Sequence, residues 1–540
     1  MSNLFNSKIP LKVQKRNAFS QDFTNSLTTK VGTLTPCFVK QVMPGDKVKL
    51  GVNLNVELPP MASAFKGKVS ANIEFFFVPW RLVYGGWKNY YLYNGGVATQ
   101  YAPAGIPKSV LPCFWRQGGA MSFDKGSLAD YLGLRSFKDL AGNPGLTEIS
   151  MLPFLAYHKI WEDWYRDPQV QKPAFMEAQD VSSTQRQPYN LPYIYLDGTG
   201  NSRLFDVLTS KCYDGTLMTD LRQRNYGKDI FTNCYTTPSG GAQPMAVSTT
   251  GNTFTISQLR QANALQKFAE RNQIAGGRYD EVTIANYGVK PADSALNEAL
   301  YLGRIVSSVY NTSVYSTTND TSGAVDTNNQ NPFTNSLAGR GANASAQGGK
   351  LILKDFEAKE FGVVMGIFSL VPHATYKNGI DPIMMLGVQG KGFTDNFPVP
   401  SLAGIGNEAI EASMITGNQE NADIFGYTDR YCWWKYSLDE VHGKLAAPIG
   451  QDKSLAFMQL TRDIDPDSKV QQSSAFLEIP TTAMDDVTAV KSSLSEYGCI
   501  VDLFFNYTTI RPLPAYSIPS LCDDIDQATI RTIERGGKYL

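Results

Sequence analysis

The most regular feature of the chain is a strict alternation of apolar and polar positions. In KVKLGVNLNVEL, residues 47–58, every even-numbered position from Val48 to Leu58 is apolar, and most of the intervening positions are polar. The same period recurs in KVSANIEFFFVP, residues 68–79, and in GCIVDLFFNYTTIRPLP, residues 498–514. A period of two residues is typical of a β-strand with one buried face. Each segment therefore predicts a strand of a half-covered sheet.

A fourth segment is apolar at nearly every position. FGVVMGIFSLVP, residues 361–372, has almost no polar side chain. Such a run is typical of a strand that is covered on both faces. Strand patterns thus occur near both ends of the chain and in its middle.

Two segments have the helical period instead. LPFLAYHKIWEDWYRDP, residues 152–168, and TISQLRQANALQKFAERNQIAGG, residues 255–277, place apolar residues three and four positions apart. Thr255 and Gln258 form a predicted capping box at the start of the second helix. Because the chain begins and ends in strands, these helices indicate insertions in a β framework. Residues 307–349, rich in Ser, Thr, Asn and Gly, predict a long surface loop, with an interdomain linker as the less favoured alternative.

Composition favours a protein that assembles. Charged residues make up 18% of the chain and aromatic residues 11%, with many of the latter in NIEFFFVPWRLVYGGWKNYY, residues 72–91. Few charges and many aromatic rings are typical of surfaces that are covered by other proteins. A net charge of -1 excludes a uniformly basic nucleic-acid coat. The 7 scattered cysteines contain no CxxC pair, which indicates reduced thiols rather than a disulfide framework or a zinc site. No run of about 18 apolar residues predicts membrane insertion.

Residue patterns that carry chemistry are scarce. His158, His373 and His442 are the only histidines, and none belongs to an HExxH motif. Asp463, Asp465 and Asp467 alternate in DIDPDSKV and are weak metal candidates, but the glycine and glutamate of a calcium loop are missing, so an ordinary acidic turn is favoured. We predict no catalytic residue, no metal, no cofactor and no enzymatic activity. Two facing carboxylates of a glycosidase cannot be recognised by spacing, which leaves a carbohydrate enzyme as an alternative.

One electrostatic feature stands out at the start of the chain. Residues 1–21 contain four basic residues and no acidic one, namely Lys8, Lys12, Lys15 and Arg16. A flexible basic arm neutralises phosphates without reading sequence, which suits single-stranded nucleic acid. A solvated N-terminal tail accounts for the pattern equally well.

Seven blocks, in order along most of the chain, resemble a known family. They are MPGDKVKL (43–50), EFFFVPWRLVYGGWKNY (74–90), LPFLAYHKIWEDWYRDP (152–168), LRQRNYGKDIFT (221–232), TISQLRQANALQKFAERNQIAGGRYDE (255–281), FGVVMGIFSLVPHATY (361–376) and FGYTDRYCWWKYSLDEVHGKL (425–445). The ordered set resembles the major capsid proteins of microviruses, which are small tailless phages with circular single-stranded DNA.

The resemblance implies a mainly β fold: an eight-stranded antiparallel jelly roll with long loop and helix insertions. It implies a structural protein whose copies form a 60-copy T=1 icosahedral shell around the DNA. Implied partners are a scaffolding protein, a DNA pilot protein, a small basic DNA-binding protein and a host surface receptor. The implied location is the virion, with assembly in the host bacterial cytoplasm.

On this basis the chain divides into an arm and one domain. Residues 1–30 are expected to form a basic internal arm that contacts DNA, and residues 31–540 a single jelly-roll domain. Insertions are expected at about 80–250 and 255–350, and closing strands near 361–372 and 497–510. Trp80, Tyr84 and Trp87 follow a predicted strand end and are candidates for the subunit interface, although packing under the chain's own insertions is an equal alternative.

The subfamily is less sharply indicated. Gokushovirus-like members carry a variable three-fold protrusion just before the helix at 255–275, where only residues 234–252 are available here. A tall protrusion is not expected at that position, and residues 173–218 are the candidate for a compensating surface elaboration. A carbohydrate-binding β-sandwich and a phage receptor-binding or fibre protein are the alternatives to a capsid protein.

Overall fold

The fold was derived from a computed structural model of the 540-residue chain. It describes residues 16–61, 64–94, 109–116, 123–134, 148–176, 187–194, 196, 203–237, 256–276, 278–289, 297–317, 337–385, 407–420, 423–448, 454–462, 464–465, 467, 470–489 and 492–513.

The described residues are mainly β. The strands in chain order are β1 Asn17–Ser20, β2 Phe23–Thr29, β3 Thr35–Val42, β4 Lys47–Glu57, β5 Val69–Pro79, β6 Cys113–Trp115, β7 Glu148–Ser150, β8 Leu204–Asp206, β9 Leu300–Ser308, β10 Tyr310–Thr317, β11 Leu337–Glu357, β12 Gly362–Pro372, β13 Thr375–Tyr376, β14 Glu408–Glu411, β15 Ile424–Thr428, β16 Thr461–Arg462 and β17 Cys499–Arg511.

Helices lie between the strands and are mostly short. They are α1 Trp80–Val83, α2 Trp87–Asn89, α3 Leu128–Tyr131, α4 Leu152–Ile160, α5 Ile256–Ala275, α6 Tyr279–Tyr287, α7 Ser413–Thr416, α8 Cys432–Lys435, α9 Ser474–Leu477 and α10 Ser493–Glu496. Tyr90–Asn94 and Trp161–Tyr165 are π-helical turns, and single 3₁₀ turns occupy Pro188–Asn190, Pro382–Met385, Gly443–Leu445, Ala456–Met458 and Asp485–Val487. Among the described helices none is both long and apolar enough to cross a membrane.

Two antiparallel sheets form the framework. The larger sheet has the order β1-β17-β4-β11-β10, and β2 pairs with β17 beside β1. The second sheet has the order β3-β12-β5-β9. Strands that follow one another from β2 to β5 alternate between the two sheets, and β11, β12 and β17 do the same. Small sheets of β6–β8, β13 with β16, and β14 with β15 lie in the connections.

The core between the two sheets confirms the predicted alternation. Val48, Leu50, Val52, Leu54 and Val56 of β4 are all buried in it, and the same holds for alternate positions of β5 and β17. These side chains share one face because successive residues of a strand point to opposite sides of the sheet.

An aromatic cluster fills the centre of this core. The ring of Phe505 lies 4.9 Å from that of Phe23 and 5.1 Å from that of Phe38, between ring centroids. Phe38 also meets Phe75 edge-on at 6.0 Å. These residues come from β2, β3, β5 and β17, so one cluster joins both sheets.

Strand β12 is covered on both faces, as its apolar run predicts. Every residue of Gly362–Pro372 is buried. Val364 and Phe368 face the core between the sheets, whereas Met365 and Ile367 face a second core. That second core is built from β12, β5, the aromatic segment after Pro79, and α4, which confirms the helix predicted at 152–168.

The predicted 30-residue arm is too long. Residues Asn17–Ser20 and Phe23–Thr29 form β1 and β2, which pair with residues 508–511 and 499–505 of β17. The alternation there is weak because Ser, Thr and Asn stand between widely spaced apolar residues, but pairing requires only backbone groups. The arm that the sequence predicts can therefore include only the residues before β1.

The prediction of a surface loop over residues 307–349 is wrong where the chain is described. β10 and β11 form an antiparallel hairpin in that region, and β11 continues along β4. Ser and Thr side chains bury little area, but their backbone amides and carbonyls complete the hydrogen-bond ladder of the sheet. A composition typical of a loop therefore led to the wrong prediction. Residues 318–336 lie outside the described residues.

Two further features were not anticipated. Residues 173–218, expected to be a surface elaboration, contribute Phe175, Leu191 and Met218 to the second core. A third core joins the connection between β12 and β17, which contributes Ile410 and Phe425, to Phe231 of the connection between β8 and β9. The helix predicted at 255–275 is confirmed as α5, while Thr255 of its predicted capping box lies outside the described residues.

The cysteines behave as predicted where they are described. Cys37, Cys212, Cys234, Cys432 and Cys499 are buried and free. Cys113 is free and half-buried. Burial raises the pKa of Cys212 to about 12, so that thiol remains protonated at neutral pH.

Two neighbouring phenylalanines of β17 provide a test of the sandwich core. Phe505 is 1% exposed and Phe504, on the other face, is 48% exposed. We expect Phe505→Ala to lower the free energy of unfolding by about 3–5 kcal/mol, because it leaves a cavity where the two sheets meet. Urea unfolding followed by circular dichroism measures the change. Phe504→Ala is the matched control and should cost less than about 1 kcal/mol. Equal losses in the two variants would contradict the assignment of the buried face.

Candidate functional site

The aromatic segment after β5 lies largely inside the chain. Pro79 ends β5, and Trp80 begins α1 directly after it. Trp80 and Tyr84 are buried in the second core, Tyr84 with none of its surface exposed. Trp87 is only partly buried and packs at the edge of that core. Intrachain packing thus accounts for Trp80 and Tyr84, and a contact of the three residues with a neighbouring subunit stays a prediction.

The Tyr84 hydroxyl joins two segments of the insertion to the end of β5. Its hydroxyl donates to the carbonyl of Val110 at 2.7 Å, accepts from the Leu196 amide at 2.9 Å and lies 2.6 Å from the Ser109 hydroxyl. A Cβ at position 86 would lie 2.4 Å from this hydroxyl, which explains the glycine there. Burial raises the pKa of Tyr84, so the hydroxyl stays neutral and remains a donor.

A half-exposed group of aromatic rings lies further along the chain from Tyr84, and we call it the aromatic platform. We define it as Trp87, Tyr90, Tyr91 and Phe361. The ring of Trp87 lies 5.8 Å from that of Tyr90 and 6.1 Å from that of Phe361. Tyr91 contacts Phe361 at 5.2 Å and is exposed on its other side. Because aromatic side chains bury large areas with little loss of entropy, this platform suits a protein contact.

A buried ion pair joins the framework to the insertion. Arg224 donates to Glu74 of β5 at 2.8 Å and to the Ser369 hydroxyl of β12 at 2.9 Å. Tyr165 donates its hydroxyl to the same carboxylate at 2.6 Å. Glu74 is the one charged residue of β5 and is buried on its second-core face, where the donors from Arg224 and Tyr165 satisfy its charge.

A second buried group centres on Arg222. Its guanidinium pairs with Asp214, lies 4.1 Å over the ring of Trp161 and donates from Nε to Nδ1 of His158 at 3.0 Å. The proton of His158 therefore lies on Nε2, which donates to the Met218 carbonyl at 3.0 Å. Burial and the neighbouring guanidinium lower the pKa of His158 well below its usual value, so the ring is neutral.

The predicted DNA-contacting residues fall mostly outside the described residues. Lys8, Lys12 and Lys15 lie there, and Arg16 is the first residue described. Arg16 is exposed and pairs with Glu357, the last residue of β11, at 3.5 Å. β1 follows Arg16 at once and pairs with the end of β17, so Arg16 lies at the edge of the larger sheet.

The acidic segment near Asp465 has no cluster of ligands in the described part of the chain. Asp465 accepts a hydrogen bond from the amide of Asp467 at 3.0 Å, as in an ordinary turn, and Asp463 lies outside the described residues. Across those residues no group of three or more His, Cys, Asp or Glu side chains could hold a metal.

A groove with acidic and aromatic walls lies beside the third core. We call it the acid–aromatic groove. It has a volume of about 730 Å³. Its charged lining residues are Asp381, Glu408, Glu440 and Lys377. Its aromatic lining residues are Tyr376, Tyr431, Trp433, Trp434 and Tyr436. Trp434 and Tyr436 are exposed at the rim.

The longest described helix projects from the chain with most of its surface exposed. α5 packs against α6, where Asn286 donates to Asn272 at 2.6 Å. Arg278, just before α6, donates to the carbonyl oxygens of Asp163 and Arg166 and fixes this hairpin to the insertion. Sequence periodicity predicted this helix and its apolar residues, and the structure leaves Leu259, Leu265 and Phe268 exposed.

Comparisons with known proteins agree over nearly the whole chain. The model of a family described as "Capsid protein (F protein)" matches residues 7–249 and 208–521. The chain is 23% identical to capsid protein VP1 of Bdellovibrio phage phiMH2K, over 95% of this chain and 97% of the relative. It is 24% identical to capsid protein VP1 of Chlamydia phage 1, over 96% and 98%. For capsid protein VP1 of Spiroplasma virus 4 the identity is 23%, over 91% and 92%.

Neutral burial of His158 predicts a pH dependence of stability. Its pKa is lower in the folded chain than in the unfolded chain, so below about pH 6.5 the unfolded chain binds more protons than the folded chain. The free energy of unfolding therefore decreases as the pH is lowered. We expect His158→Gln to remove this contribution and to flatten the profile between about pH 7 and 5.5. Urea unfolding at a series of pH values measures it.

The matched control is His373→Gln, because the side chain of His373 is exposed. It should leave the profile unchanged. A His158→Gln profile parallel to that of the unchanged chain would show that His158 is not the group responsible.

Proposed function

The chain belongs to the capsid protein (F protein) family, and on that premise we propose that 60 copies of it form a T=1 icosahedral shell around a circular single-stranded DNA genome. Membership of this family makes it a structural phage protein. The carbohydrate-binding and fibre alternatives lose their basis, because the family match covers both the framework and the insertions.

The strand order is the observation that carries the proposal. Taken in chain order, β2, β3, β4, β5, β9, β11, β12 and β17 supply two four-stranded sheets, β2-β17-β4-β11 and β3-β12-β5-β9. We take these as the eight strands of a jelly roll, in which the first and last strands are neighbours. β1 and β10 are then additions at the edges of the larger sheet.

Assembly into a shell requires each chain to contact its neighbours through different patches of its own surface. In an icosahedral shell, contacts around five-fold and three-fold axes join different surfaces of identical chains and close into rings. Many individually weak contacts then sum to a stable shell. The aromatic platform supports this proposal, because it is an exposed extension of a rigid core, and Trp87 is its centre.

The basic arm is the proposed contact with DNA. The arm precedes Arg16, which is exposed at the sheet edge, so we place Lys8, Lys12 and Lys15 inside the shell, where they would neutralise phosphates. A scaffolding protein, a DNA pilot protein, a small basic DNA-binding protein and a host receptor are the further partners that we propose. Assembly would take place in the host bacterial cytoplasm.

Electron microscopy tests the shell and the platform together. We expect the full chain, produced with the other proteins of its phage, to form uniform round shells. We expect Trp87→Ala to lower their yield several-fold, because the platform loses its central ring. Negative-stain images and sedimentation of the cell extract measure the yield.

Trp87→Phe is the matched control and should keep most of the yield, since it retains an aromatic ring. Circular dichroism should show that both variants are folded. Rods or monomers from the unchanged chain would contradict the shell, and a normal yield from Trp87→Ala would remove the platform from the interface.

Charge removal tests the arm. We expect replacement of Lys8, Lys12, Lys15 and Arg16 by Gln to lower the DNA content of purified shells several-fold while shells still form, because fewer phosphates are neutralised. The ratio of absorbance at 260 and 280 nm measures DNA content. The control replaces four exposed lysines outside the arm by Gln and so makes the same change of net charge. These are Lys30, Lys66, Lys68 and Lys125. An equal loss of DNA in the control would show that only net charge matters.

A further inference from the structure

The hairpin of α5 and α6 exposes many large apolar side chains. Leu259 is 65% exposed and Tyr287 is 80% exposed. Other large apolar side chains of the hairpin are also exposed, namely Ile256, Leu265, Phe268, Ile274, Tyr279 and Ile284. Together they present on the order of several hundred Å² of apolar surface, which on a soluble protein marks an interaction site.

The outer face of α5 has a defined pattern. Ile256, Arg260, Lys267, Arg271 and Ile274 follow one another at spacings of four, seven, four and three, and all are exposed. These spacings place them on one ridge of a helix, apolar at both ends and basic in the middle. We call it the α5 ridge. A partner must therefore offer both acidic and apolar groups.

The acid–aromatic groove offers that combination. Its lining has three acids, Asp381, Glu408 and Glu440, against one lysine, an excess of two negative charges. Trp434 and Tyr436 stand exposed at its rim, and Ile383 of the lining is exposed as well. A volume of about 730 Å³ is large enough for the side chains from about two turns of a helix.

We propose that the α5 ridge of one copy docks into the acid–aromatic groove of a neighbouring copy. The proposal rests on the proposed shell and names one contact within it. Acids of the groove would pair with the basic centre of the ridge, and the rim aromatics would cover its apolar residues. Ridge and groove are unlike surfaces, so the contact is of the kind that closes identical chains into a ring.

Packing of α5 against the same helix of another copy is the alternative within a shell. That arrangement would set basic residues of one ridge against those of the other, at a cost that grows as water is excluded. Nucleic acid would satisfy the charges but would leave the exposed Leu, Ile, Phe and Tyr side chains of the hairpin without an apolar partner. Charge complementarity and the apolar area together favour the groove.

A charge exchange between the two surfaces tests the proposal. We expect Lys267→Glu with Arg271→Glu to lower the shell yield at least tenfold, because like charges then face each other across the contact. Asp381→Lys with Glu440→Lys should do the same. The chain carrying all four changes should recover at least half of the original yield, since the signs are again opposite. Sedimentation and negative-stain microscopy of extracts that contain the full chain measure the yields.

A variant with matched charge separates the contact from general electrostatics. Lys66→Glu with Lys68→Glu also reverses two exposed lysines, but these lie outside the hairpin and the groove. It should keep the original yield. The thermal midpoint of each purified variant should match that of the unchanged chain, because all the substituted side chains are exposed.

Three results would overturn the proposal. A normal yield from either double variant would show that its surface does not carry the contact. Failure of the fourfold variant to recover would show that the two surfaces do not meet. Shells that form normally from the Lys267→Glu, Arg271→Glu chain but contain less DNA would assign α5 to nucleic acid. If the unchanged chain forms only small oligomers, the shell fails separately, and the same four chains compared by sedimentation velocity still report on the contact.

Discussion

The second sheet must be covered on both faces, and the rest of the structure depends on this. β5 and β12 pack one face against the larger sheet and the other against the second core. Each additional buried methylene stabilises the fold by about 0.8 kcal/mol, so a sheet with two apolar faces is stable only if something covers the outer one. The insertion after β5 is that cover. Its helix α4, the anchor at Tyr84 and the ion pair at Glu74 are therefore parts of the framework rather than additions to a finished sandwich.

The sequence predicted the four strands with the clearest apolar patterns, although it gave β5 one exposed face and the structure buries both. β4, β5 and β17 follow from alternation, and β12 from its continuous apolar run, because burial alone sets these patterns. It failed where pairing depends on the backbone. β1, β2 and much of the hairpin of β10 and β11 consist of Ser, Thr, Asn and Gly, whose side chains give no signal although their amides and carbonyls complete the ladder. A composition that indicates a loop is compatible with a strand when a neighbouring strand supplies the template.

The candidate site was less predictable than the fold, for a related reason. Aromatic content identified residues 72–91 as important but not which rings remain outside, because Tyr84 and Trp87 lie three residues apart and differ only in what the insertion places over them. The ion pairs of Arg222 and Arg224 were invisible, since each joins residues far apart in the chain, and no spacing indicates that Glu74 and Arg224 meet. A buried carboxylate on an apolar strand was the one available signal. The neighbouring positions on the same face of β5 carry no charge. A charge at a buried position therefore requires a partner from another part of the chain.

A capsid chain with exposed apolar surface and few charges must meet two opposite demands. The free chain must stay dispersed, yet the same surfaces must associate strongly once neighbours are in place. Charge on the α5 ridge and in the acid–aromatic groove answers both demands. Two copies that meet with like surfaces repel, and two that meet with unlike surfaces attract, so the charges select the arrangement while the apolar side chains supply most of the stability. Selection by charge weakens as salt rises, whereas apolar burial does not. Ionic strength during assembly should therefore govern how accurately shells form more than how stable they are once closed.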